Sequence, residues 1–205
     1  MVQRFAQLLA VLLSAWFALW ACAPAAAMRP MTGSMDEPNE FGGGYTYAAP
    51  LTDTNRCAND LITCNPGSNG QIWYQHRFGE RFSLGGTLFG GQTSLFGGGV
   101  LGRFHLLESD RLQLGGDVSL GFAWGELGVP VAVRVAGPVW LYTEPTVAFR
   151  LVQPVRVPLG VAINLDDHFS VAAEGAWGFD PFFNPGLSVA ETSYFSGSAG
   201  VSYRF

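Results

Sequence analysis

A set of titratable side chains recurs on one face of segments whose other face is apolar: Arg77, Arg103, His105, Asp117, Arg134, Glu144, Arg156, Glu174 and Arg204. If that face is enclosed, two kinds of chemistry are open to it. Opposite charges in a narrow dry interior pair and hydrogen-bond to one another, because an isolated buried ion costs several kcal/mol. Alternatively they line a narrow pore, which would lean toward anions because the arginines outnumber the three carboxylates. Catalytic chemistry finds less support. Asp166, Asp167 and His168 invite a metal or acid–base reading, but neighbours on a tight turn point apart, so the triplet reads as a solvated turn. No arrangement of serine, histidine and acid stands out, and neither an enzyme nor a cofactor is expected. The glycine runs at 42–44 and 97–99 lack the strand-to-helix setting of a phosphate loop and read as strand glycines. Cys57 and Cys64 bracket the stretch CANDLITC without a nearby histidine, which suits a disulfide in an oxidising compartment and not a metal.

The elements that would carry these side chains are strands. In RLQLGGDVSLGFAW, Leu112, Leu114, Val118, Leu120, Phe122 and Trp124 share a face opposite Gln113, Asp117 and Ser119. Val155, Val157, Leu159, Val161, Ile163 and Leu165 alternate in the same way with Arg156, Pro158, Gly160, Ala162 and Asn164. These runs last about ten to thirteen residues, longer than typical globular strands and matched to the roughly nine to eleven that a tilted strand needs to cross a bilayer. Ten segments fit the pattern: 41–49, 70–79, 82–90, 96–107, 111–124, 129–136, 139–149, 155–165, 168–178 and 193–205. With the first read as a loop, the alternative is eight. Tight turns near Gly79, Glu108, Gly137 and Asp166 then all fall at one end, and the long connections 50–69 and 179–192 at the other. That asymmetry is expected of a closed, antiparallel up-and-down transmembrane β-barrel with short periplasmic turns and longer outer loops. Phe78, Phe82, Phe104, Phe169, Tyr203 and Phe205 would form an aromatic girdle at the turn end, with Trp124 and Trp177 at the loop end.

Composition agrees. Of 205 residues only 13% are charged while 48% are apolar, and 27 are glycine. The net charge of −5 leaves no basic footprint for nucleic acid. Residues 1–27 read as an export signal, with Arg4 before an apolar core and a small-residue exit, and residues 28–40, rich in turn formers, as a flexible tether to the barrel at 41–205. Within the exit, Leu19 to Cys22 (LWAC) resembles the lipobox of bacterial lipoproteins, and Trp20 departs from the small or aliphatic residue usual there. The resemblance implies acylation of Cys22; cleavage after Ala27 is the competing outcome.

The chain ends on alternating Val201, Tyr203 and Phe205. This terminus resembles the assembly signal of Gram-negative outer-membrane β-barrels, and the resemblance would cover residues 41–205. It implies location in the outer membrane of a Gram-negative bacterium, insertion by the barrel assembly machinery, and contact with outer-membrane lipid and lipopolysaccharide. The expected function is a monomeric structural or surface-interaction role with the lumen plugged by ion pairs. The rivals are a narrow anion-leaning channel and, from another class, a lipid-tethered lipocalin-like binding barrel with its apolar faces turned inward.

Overall fold

The computed structural model describes residues 29, 37–51, 67–92, 96–121, 124–149, 155–179 and 193–205. Among them run twelve strands: β1 Asn39–Pro50, β2 Gly67–Phe78, β3 Phe82–Gly91, β4 Phe96–Glu108, β5 Leu112–Gly121, β6 Gly125–Gly128, β7 Val131–Ala136, β8 Val139–Thr143, β9 Thr146–Ala148, β10 Val155–Asn164, β11 Phe169–Phe179 and β12 Ser193–Arg204. Every pairing is antiparallel. β6 and β7 both pair with β5, and β8 and β9 both pair with β10, so each couple is one stave broken in the middle. Prolines lie at both breaks and donate no ladder hydrogen bond. Pro130 still accepts from Gly115 N at 2.9 Å, and Pro145 from Val129 N at 3.1 Å.

The twelve strands therefore make ten staves. β12 pairs with β1 from Glu40↔Arg204 to Pro50↔Tyr194, which closes the sheet on itself and removes the open edges that an isolated sheet would present. The segment whose loss would have left eight staves, β1, is the closing stave. The expected strand 111–124 ends early at Gly121, and the next stave begins at Gly125 rather than 129.

Alternation sets the two faces, and the apolar one looks out. Leu159 is 68% exposed and Val157 42%, while Arg156, Pro158, Gly160 and Ala162 between them are buried. A soluble binding barrel needs the reverse, so the lipocalin-like expectation is overturned. The outward face is a band for hydrocarbon.

The turns after β2, β4, β7 and β10 lie together at one end, where Gly79 and Gly137 adopt positive φ of 65° and 47° that side chains disfavour. The chain termini of the barrel meet there too: Asn39 N donates to Phe205 O at 3.1 Å and Phe205 N to Asn39 O at 3.0 Å. Around this rim the outward rings touch. Phe82 and Phe104 have centroids 5.0 Å apart, Phe169 and Tyr203 4.7 Å, and Tyr203 and Phe205 5.7 Å. At the loop end Trp177 stacks on Phe179 at 4.7 Å.

Trp124 corrects one expectation. It does not join the outer girdle but is buried against Phe89, with centroids 5.9 Å apart. Gly121 N donates to Trp124 O at 2.8 Å across a two-residue connection, so the two are cross-strand partners. Partners share a face, and Trp124 follows Gly121 inward instead of continuing the outward series of Leu120.

Candidate functional site: the barrel lumen

The inward face is crowded. Trp73, Phe89, Trp124, Trp140, Tyr142 and Tyr194 are all buried there, interspersed with polar and charged groups. Small residues opposite the rings make the room. Gly160 pairs with Tyr142, and a Cβ on it would stand 2.3 Å from the ring Cζ, so any side chain would displace the tyrosine.

Among the described residues, charges form three clusters across the lumen. Mid-lumen, Arg103 of β4 and Asp117 of β5 are cross-strand partners. The guanidinium grips the carboxylate with both arms, Nε to Oδ1 at 2.7 Å and Nη2 to Oδ2 at 2.7 Å. Glu144, set in the break between β8 and β9, approaches the same guanidinium at 3.6 Å. Arg29 enters from outside the staves, with its Nη2 3.2 Å from Asp117 Oδ2 and 3.7 Å from Glu144 Oε1. It also donates to Ser119 Oγ at 3.2 Å, and its carbonyl accepts from Arg103 Nη2 at 3.0 Å.

The second cluster is nearer the loop end. Arg156 of β10 pairs with Glu174 of β11, which also accepts from the Tyr142 hydroxyl at 3.1 Å. Glu126 of β6 interacts electrostatically with Arg156 and Arg29. The third lies at the turn-end rim. Glu108 accepts from Arg77 at 2.5 and 3.2 Å and lies 2.7 Å from His105 Nδ1, whose Nε2 is 2.8 Å from Ser83 Oγ.

The structure thus brings Arg103, Asp117 and Glu144 together, joins Arg156 to Glu174, and holds Arg77 beside His105. Arg204 is buried at the inward face of β12. Arg134 is corrected: it is exposed at the turn-end rim, where its Nε donates to Gly137 O at 2.7 Å and its guanidinium lies 5.6 Å from the Trp140 ring centroid. As the cross-strand partner of buried Trp140 it stays on the inward face, but it stands three residues before Gly137 of the turn, where the stave ends at the rim and solvent reaches it.

Four lumen charges escaped the sequence reading: Arg29, Glu40, Glu108 and Glu126. Glu126 follows Trp124 by two, so a strand ended at Gly121 and resumed at Trp124 places both inward. Arg29 carries no such signal, since it stands alone in a proline-containing stretch assigned as tether. With them counted, the described residues set away from solvent in the lumen comprise five arginines (29, 77, 103, 156, 204) and six carboxylates (Glu40, Glu108, Asp117, Glu126, Glu144, Glu174), so arginine is no longer in excess there.

In the turn after β10, Asp166 Oδ1 accepts from Phe169 N at 2.6 Å and His168 N at 2.8 Å, which holds its carboxyl below the usual carboxylate range. The triplet is a turn cap. Among the described residues no group of three or more His, Cys, Asp or Glu is placed to hold a metal. Val201, Tyr203 and Phe205 lie on the outward face of β12 and just beyond it, at the turn end. Cys22, Cys57 and Cys64 lie outside the described residues.

A closed ten-stave antiparallel barrel, greasy outside and charge-paired inside, is a transmembrane β-barrel. No protein-family model and no curated protein matches the chain. Among solved structures it is similar to the NanC porin, at 9% identity and a TM-score of 0.49, covering 82% of this chain and 100% of that one. It is also similar to Ail, the attachment invasion locus protein of Yersinia pestis, at 14% identity and a TM-score of 0.37 over 83% and 100% of the two chains. Neisserial surface protein A is a third, at 10% and 0.37 over 82% and 96%. The likeness is one of barrel architecture, and no functional argument rests on it.

Proposed function

We propose that the protein is a small, monomeric barrel of a Gram-negative outer membrane, serving as a structural or surface-interaction component with a sealed lumen and no catalysis. The observation that carries this is the mid-lumen bridge, in which Arg103 and Asp117 are both almost fully buried and joined by two hydrogen bonds of 2.7 Å. Buried aromatic rings to either side reinforce the seal. The exposed apolar band and the ring belt at the turn end support a bilayer setting, with that end in the periplasm.

On this reading Val201, Tyr203 and Phe205 address the chain to the barrel assembly machinery. Outer-membrane lipid and lipopolysaccharide are its surroundings. A lipid on Cys22 and a Cys57–Cys64 disulfide, both on the export route, belong to the same proposal. Full-length protein refolded in detergent tests it in two steps. Heat-modifiable gel migration reports the closed barrel. Reconstituted into a planar bilayer, the folded protein then gives no single-channel steps; steady ohmic conductance would refute the sealed lumen.

A further inference from the structure

Two of the three charge clusters are joined by ion pairs wholly between staves, Arg77 with His105 and Glu108, and Arg156 with Glu174, where Glu126 adds a further carboxylate beside Arg156 and Arg29. The mid-lumen cluster is not. Arg103 commits both arms to Asp117, so the staves alone leave Asp117 and Glu144 facing one cation, a net charge of −1 in a buried space. Arg29 supplies the missing charge, and no stave contains it. Its side chain is buried and reaches Asp117, Ser119 and Glu144 at 3.2 to 3.7 Å. Its Nε and Nη1 have no hydrogen-bond acceptor among the described residues, so it is held on one side only.

Reach permits this. Asp117 is five residues into β5 from the turn end, about 17 Å along the strand and less in depth once the strand tilts. Arg29 precedes Glu37, which lies at the same rim, by eight residues, and such a span extends to about 27 Å. Eight residues from the turn-end rim are therefore enough to span the distance to the cluster.

We propose that Asp117, Ser119 and Glu144 form a guanidinium-binding site across the lumen, occupied in cis by Arg29, and that vacating it opens a path that favours cations. Two carboxylates and a hydroxyl match the planar, multiply donating guanidinium better than a compact ion. The proposal rests on the sealed-lumen reading and adds to it the identity of the removable stopper.

The test uses full-length protein, its folding verified by heat-modifiable migration, in planar bilayers under a salt gradient. Arg29→Gln passes at least about tenfold more current than wild type, the factor that corresponds to about 1.4 kcal/mol in occupancy. Its reversal potential has the sign of cation preference, and Arg29→Lys stays closer to wild type. Guanidinium chloride lowers the Arg29→Gln current, and adding Glu144→Gln weakens that block. A folded but silent Arg29→Gln, an anion-preferring current, or a current indifferent to guanidinium overturns the site. Conductance of wild type itself refutes the sealed lumen instead, so the two failures read differently.

Discussion

Asp117→Ala is the sharpest probe of whether the lumen is dry. In the folded barrel Asp117 holds Arg103 by two hydrogen bonds of 2.7 Å and lies 3.2 Å from Arg29. At 2.7 Å a unit charge pair is worth roughly 6 kcal/mol at an effective dielectric of 20, but only about 1.5 kcal/mol in bulk water. Removing the carboxylate strands two buried cations with Glu144 as their shared partner. In a sealed lumen that costs about 3 to 5 kcal/mol, whereas a water-filled lumen would screen the loss to about 1 kcal/mol or less. Urea unfolding of the barrel folded into lipid vesicles, followed by tryptophan fluorescence, measures the difference. With a slope of about 1 to 3 kcal/mol/M, the midpoint falls by roughly 1 to 5 M. The double variant Arg103→Met, Asp117→Leu recovers most of the loss, since an apolar pair of similar volume leaves no stranded ion and Arg29 keeps Glu144. A loss of about 1 kcal/mol or less in Asp117→Ala would refute the reasoning, because surface-like energetics mean that water reaches the pair.

Three further outcomes follow from the two faces and the turn end. Gly160→Ala loses about 1 to 3 kcal/mol in the same unfolding assay, because its Cβ collides with Tyr142; Gly197→Ala, with nothing within 4 Å of the new methyl, stays neutral. Leu159→Arg, at the middle of an outward face, loses about 2 to 4 kcal/mol in vesicles, and no loss there would contradict the lipid-facing assignment. Asp166→Ala weakens the turn after β10 in a pH-dependent way: the native carboxyl titrates below its unfolded value, so its stabilisation is complete above about pH 4 and fades as acid takes the pH through the lower native value. Wild-type and variant unfolding midpoints therefore differ at neutral pH and converge in strong acid.

Alternation carried most of the architecture. Ten staves, their outward residues, the four tight turns and the turn-end ring belt follow from local periodicity and turn chemistry, which each residue expresses through its immediate neighbours. The outward direction of residues 155–165 is one such case: a strand length matched to a bilayer and an opposite face of small and polar residues point to it.

What only the tertiary structure decided depends on pairing between distant segments. Trp124 turned inward because a two-residue connection makes it the partner of Gly121, a matter of register that periodicity along one strand leaves open. Arg134 keeps its inward face opposite Trp140 yet meets solvent, because the stave ends at the turn beside it. Arg29 reached Asp117 across 88 residues of sequence, and no local pattern marks a lone arginine in a proline-containing stretch as the counter-ion of a buried carboxylate. Charge compensation inside a closed barrel is a property of the enclosed volume, and that volume exists only once β12 has met β1.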